Sequence, residues 1–230
     1  MASINFIGGE KGGVGKSVTA RALAQYLIDR NQPFAGFDTD RSHHSFTRFY
    51  EGFVSPVAVD TFEGLDAAVD EFEGNPHRSV VVDMAAQSLA PLARWVHESS
   101  MLEVFKELGV PVNFWHVVDD GKDSVDLLGT LIDTFGLGPN YVLVLNEGRG
   151  SDFSMVKGSQ SMKKAAAVSA KVIALPRLQE ACMRKIDAQN TSFWKAINDR
   201  SSEHALGLLE RQRVKNWLAG VYAGFDTLPL

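Results

Sequence analysis

Cysteine is almost absent from this chain of 230 residues, which contains only Cys182. One thiol cannot form an intrachain disulfide, and it cannot supply the several ligands of a cysteine-based metal cluster within one chain. Long apolar stretches are also missing, because no run approaches the roughly 20 residues of a membrane-spanning helix. We therefore expect a protein without disulfides and without a transmembrane segment.

No signal peptide is indicated either, because an apolar strand pattern begins almost at once, at Ala2. Together with the cysteine content, this predicts a cytoplasmic location. Hydrophobic residues make up 45% of the chain and charged residues 22%, as is typical of globular proteins. We expect residues 1–230 to form one domain with a sizeable core, mainly helical from about residue 178.

Charge is unevenly distributed along the chain. Residues 1–152 contain 11 Lys or Arg and 22 Asp or Glu, whereas residues 153–230 contain 12 and 6. A basic end on an acidic protein indicates an anionic partner, such as nucleic acid or lipid headgroups. Ordinary solvated helix faces explain the same pattern equally well.

Apolar runs alternate with amphipathic segments along most of the chain. Strands are predicted at residues 2–8, 33–38, 79–83, 111–118, 141–145 and 171–175. Helices are predicted at residues 16–30, 62–72, 89–97, 101–108 and 124–135, and in most of the chain from residue 179. The stretch from 41 to about 61 has no clear period. This order predicts an α/β fold with a doubly wound, mostly parallel sheet and helices on both faces.

A glycine-rich loop separates the first predicted strand from the first predicted helix. Its sequence is Lys11-Gly-Gly-Val-Gly-Lys16-Ser17. Glycines let backbone N–H groups approach a phosphate, the lysine supplies a charge for the β- and γ-phosphates, and the hydroxyl is placed to bind Mg²⁺. We expect the nucleotide to contact Gly12, Gly13, Val14, Gly15, Lys16, Ser17 and Val18.

Acidic residues end two of the predicted strands. Asp83 closes an all-apolar strand, where an acid can reach the Mg²⁺ of a neighbouring phosphate loop. Asp38 and Asp40 follow another strand, and ligands of such sheets bind outside the carboxyl ends of strands. Arg41-Ser-His43-His44 comes next. A metal site at these adjacent histidines is less favoured than a solvated loop.

The motif K-G-G-x-G-K-[ST] resembles the deviant Walker A box of the ParA/MinD family of P-loop ATPases. The resemblance implies ATP and Mg²⁺ as cofactors, and an ATP-dependent homodimer in which Lys11 reaches the nucleotide of the partner subunit. Residues 8–21 and 37–43 look most like the accessory ATPases of plasmid mobilisation and conjugation modules, the TraL/MobD/StbC type. A nitrogenase-type iron–sulfur ATPase is excluded, because it needs two cysteines from each subunit.

The resemblance also implies roles for single residues. Asp40 would orient the attacking water, while Asp38 would help Ser17 and Asp83 hold the Mg²⁺ shell. Adenine contacts are implied for Asn146 and, more weakly, for Pro176 and Arg177; a turn-forming role explains Asn146 equally well.

The chain departs from the family pattern at three places. Glu10 occupies the slot of the first glycine, and Arg41–His44 replace the usual Pro-Gln. Val18 replaces a threonine whose hydroxyl contacts the α-phosphate, so that contact would fall to the backbone or to Thr19.

The basic C-terminal part offers two kinds of partner. Met162-Lys163-Lys164 and Arg184-Lys185 are candidate contacts to the backbone of duplex DNA, bound without sequence preference. An apolar stripe at helical spacing consists of Val214, Trp217, Leu218, Val221, Tyr222 and Phe225. Packing of this stripe on the protein's own sheet is favoured over binding to a membrane surface.

Three functions are compatible with these features. The favoured one is an ATP-hydrolysing dimerisation switch for plasmid partition, mobilisation or cargo positioning, acting on DNA or on an unidentified partner protein. The second is a metabolic ligase of the dethiobiotin-synthetase or cobyrinate-amidating type. The third is a nucleotide-dependent binding module that does not hydrolyse ATP.

Overall fold

The computed structural model describes residues 2–202 and 205–230, and at Glu73 the backbone alone. Its centre is a sheet of seven strands, all of them parallel. The strands are β1 Ile4–Gly8, β2 Phe34–Asp38, β3 Val54–Pro56, β4 Ser79–Asp83, β5 Val112–Val118, β6 Asn140–Asn146 and β7 Lys171–Leu175. Parallel strands need crossover connections, and here helices provide most of them.

The sheet has the strand order β3-β2-β4-β1-β5-β6-β7. From β1 the chain runs outward to β2 and β3, returns to β4, and then crosses to β5 on the other side of β1. The loop after β1 therefore lies where the winding direction changes, which is the usual ligand position in open α/β sheets. Asp38 and Asp83 are register partners at the ends of β2 and β4, close to this point.

The helices cover both faces of the sheet. They are α1 Lys16–Asp29, α2 Phe62–Gly74, α3 Leu89–Glu98, α4 Met101–Leu108, α5 Lys122–Phe135, α6 Ser154–Lys157, α7 Gln160–Ala167, α8 Glu180–Ala188, α9 Phe193–Asn198 and α10 Leu208–Phe225. Two hydrophobic clusters result. One joins the sheet to α1, α8, α9 and α10, and the other joins it to α2 to α7. The predicted doubly wound α/β fold is confirmed.

Two regions differ in detail from the sequence predictions. The stretch from 41 to 61 contains a short 3₁₀ turn, Thr47–Phe49, and the edge strand β3. Three residues are too few to show a period of two, and β3 ends in a proline, which only an edge strand tolerates. Asn146 is the last residue of β6 rather than the first residue beyond it.

The C-terminal stripe packs inside the protein, as favoured. Of its six residues, all except the partly exposed Tyr222 are buried against the sheet face that α1 also covers. Tyr26 of α1 contacts Tyr222 and Phe225 edge-on. The stripe is therefore core in this structure and not a surface for lipid. Within the described ranges, no helix has both the length and the apolar character needed to cross a membrane.

Candidate nucleotide-binding site

The glycine-rich loop connects β1 to α1 in a conformation that needs its glycines. Gly13 and Gly15 have φ angles of 77° and 105°, in the left-handed region that side chains disfavour. A Cβ on Gly15 would lie 2.1 Å from the side-chain nitrogen of Asn146, whereas nothing lies within 4 Å of a Cβ built on Gly12 or Gly13. The loop thus leaves open space for an anion at the N-terminus of α1.

Lys16 is the cation at the centre of this loop. Its side chain is 8% exposed, and its Nζ donates a hydrogen bond of 3.0 Å to the carbonyl oxygen of Lys11. Burial lowers the pKa of Lys16, although the charges of Asp83, Glu10 and Asp40 partly offset this effect. A largely desolvated ammonium group interacts strongly with a phosphate, because little water remains to screen the attraction.

Asp83 provides the test of whether Mg²⁺ fits this site. The residue is 1% exposed, and neither carboxylate oxygen has a hydrogen-bond partner among the described residues. Burial raises the pKa of Asp83 to about 7, and the nearby Ser17 hydroxyl and Lys16 ammonium offset only part of the increase. A buried carboxylate without partners fits a cation. In the described ranges no three His, Cys, Asp or Glu side chains form a metal cluster, so phosphate oxygens, Ser17 and water would complete the shell.

The Asp83→Asn variant should be more stable than the wild type in the absence of metal and nucleotide. The folded-state pKa of about 7 lies above the ordinary value of 3.8, so the folded protein holds this proton more tightly than the unfolded chain. The contribution of Asp83 to the free energy of unfolding therefore declines as the pH rises between these two values. We expect Asp83→Asn to add about 1–3 kcal/mol near pH 8 and less near pH 5.

Urea denaturation with a chelator present measures this difference. Asp70→Asn, an exposed change in α2, is the matched control and should change stability little at either pH. If Asp83→Asn changed stability equally at both pH values, the carboxylate of Asp83 would not have a raised pKa in the folded protein.

Asp38 organises the loop that follows β2. One carboxylate oxygen accepts from the backbone N–H of Asp40, and the other accepts from the N–H groups of Phe46 and Thr47 at 2.8 and 3.0 Å. The Thr47 hydroxyl donates to the second oxygen as well. The predicted Mg²⁺ role of Asp38 stays a prediction, and this geometry favours a structural role, because both carboxylate oxygens already accept hydrogen bonds from the loop.

Asp40 faces the phosphate loop across an open cavity. We call this space the phosphate cavity; its lining includes Gly12, Gly13, Gly15, Lys16, Ser17, Val18, Asp40 and Arg149. Burial acts to raise the pKa of Asp40, but the N–H groups of Ser42 and His43 and the His43 imidazole lower it below its ordinary value. Asp40 is therefore ionised at neutral pH and can accept a hydrogen bond from water.

Lys11 forms an ion pair within its own chain. Its Nζ lies 2.7 Å from Oδ2 of Asp119, the residue after β5. Asp119 also accepts hydrogen bonds from the Ser124 hydroxyl and from the backbone N–H of Gly121. Asp119 was not among the predicted site residues, although it is an acid at the carboxyl end of a strand, as Asp83 is.

Glu10 ties the phosphate loop to the segment beyond Asp83. Its Oε1 accepts a 2.9 Å hydrogen bond from the N–H of Leu89, the first residue of α3. The side chain of Ser88, the residue before that helix, donates to Ala85 instead and leaves the helix uncapped. A carboxylate at this position satisfies a free N–H and interacts favourably with the helix dipole.

Removal of this carboxylate should weaken the fold. We expect Glu10→Ala to lower the free energy of unfolding by about 0.5–2 kcal/mol, the usual cost of a lost helix cap. Glu10→Gln keeps an acceptor oxygen and should cost less. Urea denaturation measures both variants. Equal stabilities of Glu10→Ala and the wild type would show that the contact contributes nothing.

A second cavity adjoins the phosphate loop on the side of β6 and β7. We call it the base cavity; Asn146, Pro176 and Arg177 line it together with Gly15, Val18, Arg149 and Trp217. The three predicted base-contacting positions are thus brought together. The Asn146 amide, however, donates to the carbonyl of Val14 at 2.6 Å and accepts from the N–H of Gly148. It supports the phosphate loop, so the other lining residues are better placed for a base.

Two positions near the loop refine the sequence predictions. The Thr19 hydroxyl donates to the carbonyl of Gly15, and the residue is fully buried, so of the two alternatives for the α-phosphate contact the backbone is favoured over Thr19. Arg149 is exposed and lines both cavities, a placement that its position in the sequence did not predict.

Most of the proposed DNA-contacting cations have acidic neighbours. Lys164 pairs with Asp133, Lys185 pairs with Glu210, and Arg184 lies 3.8 Å from Glu180. Lys163 is exposed and forms no ion pair within the described ranges. These pairs lower the attraction that this part of the surface offers to a phosphate backbone.

Comparison with known proteins matches residues 6–189 to the family model described as the CobQ/CobB/MinD/ParA nucleotide binding domain. Protein TraL of Escherichia coli is 25% identical over 98% of both chains, and protein MobD of Acidithiobacillus ferrooxidans is 25% identical over 95% of this chain and 97% of its own. The MinD–MinC cell division protein complex of Aquifex aeolicus shares the fold, with a TM-score of 0.58 and 13% identity over 100% of this chain and 98% of that one.

Proposed function

Because the chain belongs to the CobQ/CobB/MinD/ParA nucleotide-binding family, we propose that it is an ATP-hydrolysing switch that dimerises on ATP. The observation that carries the proposal is the arrangement around the phosphate loop. The buried Lys16 and the ionised Asp40 line this open anion site, and the buried carboxylate of Asp83 lies close enough to interact with both of them. The similarity to TraL and MobD over nearly the full length of each protein supports a role in plasmid mobilisation, conjugation or partition.

ATP binds along the two adjoining cavities. Backbone N–H groups of the loop and the Lys16 ammonium contact the β- and γ-phosphates, while the adenine occupies the base cavity next to Pro176 and Arg177. Ser17 and Asp83 hold Mg²⁺, which neutralises phosphate charge when bound. The ionised Asp40 positions a water molecule for attack on the γ-phosphate, as a carboxylate does in phosphoryl transfer.

Lys11 is the residue that couples the binding of ATP to dimerisation. In one subunit it is held by Asp119 at 2.7 Å, an ion pair whose lysine is 37% exposed. Solvent screens such a partly exposed pair, so it stabilises the protein only slightly and the phosphates of a bound ATP can compete for this ammonium. Two subunits then close face to face, each Lys11 moving from Asp119 to the nucleotide of its partner, and hydrolysis releases them.

The closed dimer binds its target more tightly than the monomer does, because it presents two copies of each target-binding surface. We propose a cytoplasmic partner protein as the main target, with non-specific duplex DNA as a weaker one. The ion pairs at Lys164, Arg184 and Lys185 leave few free cations for a DNA backbone, whose binding depends on the number of phosphates neutralised.

Substitution of Lys11 and of Asp119, the acid that pairs with it, tests this mechanism. Lys11→Ala should bind ATP nearly as well as the wild type but remain monomeric. Its rate of hydrolysis should fall by roughly 1,000-fold or more, the contribution that an arginine finger makes in other phosphoryl-transfer enzymes. Asp119→Asn should dimerise at up to about fivefold lower protein concentration, because Lys11 is released from a pair of modest strength. Size-exclusion chromatography with ATP and a phosphate-release assay give both readouts.

The two variants also separate this mechanism from the alternatives. A metabolic ligase would hydrolyse ATP only with its small-molecule substrate and would keep its oligomeric state when Lys11 is replaced. A binding module without hydrolysis would dimerise but release no phosphate. If Lys11→Ala formed dimers with ATP to the same extent as the wild type, the proposal would be contradicted.

A further inference from the structure

A groove with exposed aromatic side chains lies away from both nucleotide cavities. It runs between the 3₁₀ turn with the following β3 edge and the junction of α8 and α9. We call it the aromatic groove, and its principal lining residues are Arg48, Phe49, Phe53, Thr191, Trp194 and Lys195. None of these residues takes part in the proposed binding or hydrolysis of ATP.

The two aromatic side chains at its rim are unusually exposed for this protein. Trp194 is 56% exposed and Phe53 is 52% exposed, whereas the other three tryptophans are at most 6% exposed. Large aromatic side chains left in water at a concave surface are typical of protein interfaces, where tryptophan dominates the binding energy.

The groove is held rigidly enough to bind without rearrangement. The ring of Phe53 stacks on Phe34 with 5.6 Å between centroids, and the backbone N–H of Trp194 donates to Gln25 of α1 at 2.9 Å. The Tyr50 hydroxyl donates to the same Gln25 oxygen. A preformed site loses little conformational entropy when a ligand binds.

Polar groups in the groove indicate the charge of its ligand. Arg48 and Lys195 are exposed, and neither forms an ion pair within the described part of the chain, while Glu51 is the one acid among the described lining residues. Two such cations are suited to carboxylate oxygens.

We propose that the aromatic groove binds a short segment of a partner protein that carries an aromatic or leucine side chain next to acidic residues. The apolar side chain would pack between Trp194 and Phe53, and the acidic residues would contact Arg48 and Lys195. This inference rests on the proposed function only in that it describes the switch's partner, since the groove itself contains no nucleotide contact.

The groove is connected to the nucleotide site through the backbone. Asp38 accepts from the N–H groups of Phe46 and Thr47, directly before Arg48, and the Arg21 guanidinium of α1 lies 3.5 Å over the ring of Phe49. A partner bound in the groove would therefore contact the 3₁₀ turn Thr47–Phe49, which directly follows the loop after β2.

A random peptide library displayed on phage tests the proposal with the wild-type protein and without nucleotide. Enriched peptides should contain an aromatic or leucine residue flanked by acids. Synthesised with fluorescein and titrated by anisotropy, they should bind Trp194→Ala at least tenfold more weakly. Lys195→Glu should also bind these peptides more weakly, and it should select peptides with basic flanking residues instead. Leu137→Ala, a change at an 84% exposed residue elsewhere, should leave binding unchanged.

Trp194 also supplies an internal signal, because it is the exposed tryptophan among the four. Bound peptide should reduce the quenching of its fluorescence by iodide. The proposal is overturned if no peptides are enriched, if the enriched peptides lack an excess of acids, or if Trp194→Ala binds them as the wild type does. Since no nucleotide is present, a failure of the ATP switch would not affect these results.

Discussion

Lys16→Ala is expected to abolish ATP binding at concentrations that saturate the wild type. Lys16 is 8% exposed and has three acidic residues close enough to affect its pKa, so its side chain is already largely desolvated and positioned for the phosphates. Truncation of one partner of a buried charge pair costs about 2–5 kcal/mol, which corresponds to roughly 30-fold to several thousand-fold in the dissociation constant. Isothermal titration calorimetry with ATP and Mg²⁺ measures the loss.

Two companion variants make this result interpretable. Lys16→Met keeps the apolar stem of the side chain and should lose as much affinity, which separates the charge from the packing. Lys106→Ala removes an exposed lysine on α4 and should bind ATP as the wild type does. Retained ATP binding by a folded Lys16→Ala protein would remove the basis for a phosphate site at this loop.

Asp40→Ala is expected to bind ATP but to hydrolyse it about 100- to 10,000-fold more slowly, the range for loss of a general base or of the residue that positions water. If hydrolysis opens the dimer, this variant should accumulate as a dimer with ATP. Asp126→Ala, an exposed change on α5, is the control and should hydrolyse ATP at the wild-type rate. Calorimetry, phosphate release and size-exclusion chromatography together give the full pattern.

The structural role of Asp40 needs its own variant. One carboxylate oxygen accepts from the N–H groups of Ser42 and His43, and an asparagine oxygen can do the same. Asp40→Asn should therefore keep the loop intact and still lose hydrolysis. If Asp40→Asn hydrolyses ATP normally while Asp40→Ala does not, Asp40 shapes the loop and does not position the water.

The fold could be predicted almost completely from the sequence, because its signals are local. Val80-Val-Val-Asp83 shows a strand buried on both faces, and the spacing of Leu23, Ala24 and Leu27 shows a helix. The edge strand β3 could not be predicted, since it owes its existence to pairing with Gly36, Phe37 and Asp38 of β2 rather than to its own three residues.

The site could be predicted only as a set of residues and not as a set of contacts. Glycine spacing and strand ends identified the loop, Asp40 and Asp83 from the chemistry that phosphate and Mg²⁺ require. The pairing of Lys11 with Asp119 joins residues 108 positions apart, and the bond from Glu10 to Leu89 spans 79. Such long-range contacts leave no periodic signal in a single sequence, and neither does the engagement of Asp38 by Phe46 and Thr47.

Sedimentation velocity of the pure protein with ATP and Mg²⁺, with ADP, and without nucleotide shows whether ATP drives dimerisation. A chain of 25.2 kDa should sediment as a monomer without nucleotide or with ADP, and as a species of twice that mass with ATP. Repeating each run with duplex DNA shows whether the ATP form alone associates with it. The same sedimentation coefficient under all nucleotide conditions would contradict an ATP-dependent dimer.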